Sequence, residues 1–72
     1  MTLRYRAHTR LPYAMALRDL AEYAHTHPDP DFTFGPMTLE RVESEGLVIS
    51  GLDLEGVKAL LSSIPGLVES GA

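Results

Sequence analysis

In residues 2 to 10, TLRYRAHTR, a basic side chain stands at every second position from Arg4 to Arg10, with small or apolar ones between them. Leu3, Tyr5, Ala7 and Thr9 point one way and Arg4, Arg6, His8 and Arg10 the other, which is the period of a half-buried strand. One face of that strand is core and the other is basic. The period then changes. Tyr13, Ala16, Leu17, Leu20, Tyr23 and Ala24 recur at three- and four-residue steps, while Arg18, Asp19 and Glu22 collect on the opposite side. This is an amphipathic helix of strong formers. Thr9 is its expected N-cap, with Pro12 inside the first turn, where a missing N–H does no harm.

HPDPD ends the helix, because the residues before Pro28 and Pro30 are pushed away from the α region. Phe32 and Phe34 have strand character, and Gly35 with Pro36 suggests a bulge or bend. Glu43 to Gly46, ESEG, separates two runs as a hairpin turn would, which predicts strands at 37–43 and 47–51. A competing reading makes TLERVESEG a short helix, with Thr38 as N-cap, Leu39 and Val42 on one face and Gly46 as terminator. The hairpin is the expectation carried forward. DLEGVKALLSSIPG predicts a second amphipathic helix, capped by Asp53, with Glu55 complementing its N-terminal dipole. Leu54, Val57, Leu60, Leu61 and Ile64 form its buried face, and Pro65 and Gly66 close it. LVES is long enough for a last short strand.

In order, the elements are β-α-β-β-α-β. They predict an α+β, ferredoxin-like sandwich in which two helices cover one face of a small antiparallel sheet, as a single domain over residues 1–72. ALRDLAE, then DPDFTF, then ESEGLVISGLDLEGVKALL, resembles the third domain of elongation-factor-G-type translational GTPases over Ala16 to Leu61. That resemblance implies the same ferredoxin-like topology. The family's Gly-rich step into the second helix carries a His that GLDLEG lacks, so no function or site is transferred.

A chain of 72 residues is expected to bury only ~60% of its unfolded surface, so it has one thin core. It has no cysteine, which removes disulfides, thiolate zinc sites and a cysteine nucleophile. Arg4, Arg6 and Arg10 stand where a signal peptide would have its apolar core, and no run of ~18 apolar residues could span a membrane. A soluble, cytoplasmic protein with no membrane partner is expected. Charge is strongly segregated. Residues 1–18 hold four arginines and no acid, whereas residues 19–72 hold all ten acids against Arg41 and Lys58, giving +4 and -8.

Motifs for chemistry are few. HTHPDPD gathers His25, His27, Asp29 and Asp31, but residues two apart on a helix do not share a face, and no metal is expected there. His25 and His27 suit a helix C-terminus without one. Ser44, Ser50, Ser62, Ser63 and Ser70 fall in turns and element ends that favour local hydrogen bonds, with no strand-to-helix elbow. The acid pairs Asp29/Asp31 and Glu43/Glu45 occupy turns, and no phosphate-binding loop is present. Neither an enzyme nor a cofactor is expected.

The remaining candidates are two charged sets. Arg4, Arg6, His8 and Arg10 form a basic row whose neutral explanation is pairing with Glu40, Glu43, Glu45 and Glu69 on flanking elements. Glu40, Glu43, Glu45, Asp53 and Glu55 form an acidic set able to mimic phosphates toward a basic partner. The leading expectation is a small non-enzymatic regulator or inhibitor that occupies a surface on a larger protein or nucleoprotein complex. Phage and mobile-element proteins that block host machinery, anti-CRISPR proteins among them, are similar in size and acidity, an analogy of type only. One alternative is a nucleic-acid or ribosome-associated module using the basic strand. It ranks lower, because Tyr5 is on the core side and the chain is acidic overall. The other is a homodimer enclosing a small-ligand pocket.

Overall fold

The computed structural model describes residues 2–26, 32–52 and 54–70. Seven elements follow in order: β1 Thr2–Arg6, α1 Arg10–Thr26, β2 Phe32–Gly35, α2 Leu39–Glu45, β3 Leu47–Gly51, α3 Glu55–Ser62 and β4 Val68–Ser70. The strands form one antiparallel sheet in the order β2-β3-β1-β4. The fold is therefore the α+β, ferredoxin-like sandwich, with β1 and β3 at its centre and one additional helix between β2 and β3.

That additional helix corrects the hairpin. Residues 37–43 are not a strand, and the strand that pairs with β3 is the earlier Phe32–Gly35, in register Phe34↔Ile49. Read as a strand, 37–43 would put Leu39 and Val42 on opposite faces; a helix puts them on one. Val42 is fully buried and Leu39 packs against the core. Thr38 takes the extended N-cap conformation, the Val42 N–H donates to the Thr38 carbonyl at 3.0 Å, and the Gly46 N–H donates to the Val42 carbonyl at 2.7 Å.

All the helices pack on one face of the sheet. The strand residues that enter the core, Leu3 and Tyr5 of β1 with Leu47 and Ile49 of β3, share one pleat parity, and they cluster with Tyr13, Ala16 and Leu20 of α1 and Val57 and Leu61 of α3. Leu54 and Ile64, at the two ends of α3, join them, whereas Leu60 is only half-buried. The N-cap of α3 is Leu54 rather than Asp53, and Asp53, like His27, Asp29 and Asp31, lies outside the described residues. Aromatic packing closes the β2 edge. Phe32 meets Tyr23 edge-on at 5.6 Å and stacks with Phe34 at 6.2 Å. No described helix is long and apolar enough to cross a membrane.

Two tyrosine hydroxyls in this core have different fates. The Tyr13 hydroxyl accepts the Ala7 N–H at 2.8 Å, which fastens the end of β1 to the first turn of α1. The Tyr5 hydroxyl is buried with no hydrogen-bond partner among the described residues. Burial, and then the nearby Glu69 carboxylate, raise its pKa above the ordinary tyrosine value. Leaving a hydroxyl unsatisfied in the core is costly, so Tyr5→Phe is expected to stabilise the domain by about 1 kcal/mol in urea unfolding at neutral pH. Because the folded pKa is raised, the hydroxyl's protonated state favours the fold fully below pH ~10 and that contribution is lost as pH rises further. Tyr5→Phe is therefore also expected to remove part of the alkaline loss of stability, and an unchanged alkaline limb would contradict this.

Candidate functional site

No described element covers the face of the sheet turned away from the helices. By pleat parity and register, β1 contributes Thr2, Arg4 and Arg6 to this face, and β3 contributes Val48 and Ser50. The edge strands add Val68 and Ser70 from β4 and Thr33 and Gly35 from β2. None of these nine residues is acidic and none is aromatic. Glu69, whose neighbours in β4 are on the open face, points toward the helices and pairs with Lys58 of α3 at 3.4 Å.

The basic row of the sequence is divided by the fold. Arg4 and Arg6 are exposed on β1, but the strand ends there, and His8 lies exposed in the bend that follows. Arg10 is the first residue of α1, so the alternation through residue 10 does not correspond to one continuous strand face. Arg10 donates through Nε to Glu43 of α2, a pair that joins the two helices. Arg41 holds Glu45 of the same helix in a two-point contact, with Nε at 2.9 Å and Nη2 at 3.4 Å. The hydrogen bond from Arg41 holds the Glu45 carboxyl below the usual carboxylate range. Arg4 and Arg6 form no ion pair among the described residues. Glu45 lines the shallow depression beside them, yet Arg41 is its partner. Among the described residues, internal neutralisation thus applies to Arg10 and not to Arg4 or Arg6.

The acidic set is dispersed as well. Glu40, Glu43 and Glu45 are exposed on α2, and Glu55 starts α3. Two of the four are already partnered by this chain's own arginines, which weakens the set as a phosphate mimic. Every described acid lies on a helix or, like Glu69, faces one. The sandwich is polarised accordingly, with a basic sheet face and an acidic helical layer, where Asp19 and Glu22 flank a groove between α1 and α3.

Gly46 ends α2, as the competing helical reading of TLERVESEG expected, and its backbone also shapes the open face. Its φ of 84° and ψ of 167° belong to a region that only glycine occupies readily. The Arg6 side chain lies across it, so a Cβ there would stand 3.1 Å from Arg6 Nε and 3.3 Å from the Tyr5 carbonyl oxygen. Gly46→Ala is expected to cost about 1–3 kcal/mol and to displace the Arg6 guanidinium. Thermal unfolding checks the first effect, and the Arg6 side-chain NMR signals check the second.

Ser62 and Ser63 donate to the Ala59 and Leu60 carbonyls at 2.9 and 2.7 Å, the local use their positions suggested. His25 is exposed in the last turn of α1, and no cluster of three metal-ligating side chains occurs among the described residues. No protein-family model, curated protein or solved structure matches the chain.

Proposed function

We propose that the protein is a small non-enzymatic interaction module that uses its uncovered sheet face to bind carboxylates on a larger protein, alone or within a nucleoprotein complex. The observation that carries this reading is the pair of exposed guanidiniums on Arg4 and Arg6, which have no ion-pair partner among the described residues, since Glu45, the acid beside them, is held by Arg41. Arginine suits the task because its planar fork binds carboxylate at two points and is less strongly hydrated than lysine. A regulator or inhibitor that works by occupying a surface needs no more chemistry than this. Absence of cysteine accords with a cytoplasmic partner.

Nucleic-acid binding is the weaker reading. None of the nine strand residues on the open face carries an aromatic ring on which a base could stack, since by pleat parity Tyr5, Phe32 and Phe34 belong to the face packed on the core. The test is affinity capture from native lysate with the wild-type protein and with R4E/R6E, with and without nuclease. Retention of a protein that resists nuclease and is lost with R4E/R6E is the expected result. Retention abolished by nuclease would make the ligand a nucleic acid, and identical retention by both variants would refute the role of this face.

A further inference from the structure

Resting on that proposed function, we infer that the partner segment carries a carboxylate directly beside an apolar side chain, and that this pair is received by Arg6 together with Val68. The β1–β4 register places Arg6 and Val68 directly opposite each other, and both project onto the open face. Such cross-strand neighbours have Cβ atoms about 4.5–5.5 Å apart. The two residues are thus neighbours across the strands, and the Arg6 side chain, which lies across Gly46 on the β3 side, also lines the recess that Val68 borders. Val68 is 62% exposed, which is high for a valine in a sheet.

Around this pair the surface is recessed. A depression of about 380 Å³ lies between the bend after β1 and the turn before β4, lined by Arg6, Ala7, His8, Gly66 and Val68. Its wall is mostly apolar. Two contacts fix the two turns: the Ala7 N–H bonds to Tyr13, and Gly66, at φ 85°, packs where a Cβ would come within 3.1 Å of Pro12. The recess is thus part of the folded frame. Arg6 supplies the cation, and an apolar flank lowers the local dielectric and strengthens its pairing with a carboxylate.

A second depression on the same face, of about 410 Å³, lacks this combination. It is lined by Arg41 and Glu45 among others, and those two charges already satisfy each other. Charge complementarity therefore selects the Arg6–Val68 recess. A second copy of the chain is disfavoured as its occupant at the β4 edge. A symmetric antiparallel pairing of β4 about its middle residue would set Glu69 opposite Glu69, an unfavourable like-charge pair.

A random peptide library displayed on phage, selected against the wild-type protein, R6Q and V68S, tests the inference. The wild type is expected to enrich peptides in which Asp or Glu adjoins Leu, Ile, Val or Met. That enrichment is expected to fall by about tenfold with R6Q, as for removal of an interface anchor. With V68S the acidic preference is expected to persist while the apolar neighbour is no longer selected. Enrichment of acids with no apolar neighbour by the wild type would overturn the inference and leave the proposed function standing. Recovery of neutral or basic peptides, or of none, would overturn both.

Discussion

Reversing two charges, Arg4→Glu together with Arg6→Glu, is expected to abolish partner binding and leave the fold in place. Breaking a hydrogen-bonded charge pair buried in an interface costs about 2–5 kcal/mol, much of it from the carboxylate left without its cation. Reversal adds repulsion, so two such changes would carry even a tight complex beyond detection. The fold has no matching reason to suffer. Neither guanidinium has an ionic partner among the described residues, and substitutions at such surface positions usually stay within about 0.5 kcal/mol. Isothermal titration against the captured partner, alongside a melting curve, separates the two effects. A melting temperature that drops sharply would mean that Arg4 and Arg6 stabilise the fold itself.

The largest effect on stability is expected from Leu20→Ala. Leu20 is fully buried in α1, within the cluster that joins Ala16, Ile49 and Leu61. Truncating a leucine in such a place costs about 2–5 kcal/mol, from lost transfer energy and from the cavity left behind. At about 0.05–0.15 kcal/mol per residue, the entire stability of 72 residues is about 4–11 kcal/mol. The domain also has no disulfide to limit the loss. Urea unfolding should show either a midpoint displaced by a large fraction of its value or a chain already unfolded in buffer. A loss below about 1 kcal/mol would mean that the core collapses around the gap.

Much of this architecture could be read from side-chain period alone. Leu3 and Tyr5 turn inward as their alternation requires, and Tyr13, Ala16 and Leu20, like Val57 and Leu61, form the buried stripes that three- and four-residue spacing implies. The segment from Thr38 to Gly46 could not be settled that way. Its two apolar residues, Leu39 and Val42, are too few to define a period. The outcome was decided elsewhere, because Phe32–Gly35 already serves as the strand that pairs with β3. The basic row shows the same limit from the other side. Alternation runs on to Arg10, but Thr9 was also the expected N-cap, and a residue that follows a cap belongs to the helix. Pairing of Arg10 with Glu43 joins positions 33 residues apart and depends on α2 being a helix. No local pattern could reveal which arginines would find a carboxylate and which would not.

The most direct test of the central claim is arginine-specific modification by phenylglyoxal, mapped residue by residue by mass spectrometry on the free protein and on the captured complex. In the free protein Arg4 and Arg6 should react faster than Arg10 and Arg41, whose guanidiniums are held by Glu43 and Glu45. In the complex Arg4 and Arg6 should become protected while Arg18, exposed on the helical layer, stays reactive. Reactivity of Arg4 and Arg6 that is the same with and without the partner would contradict the account, because the open sheet face would then not be the surface that binds.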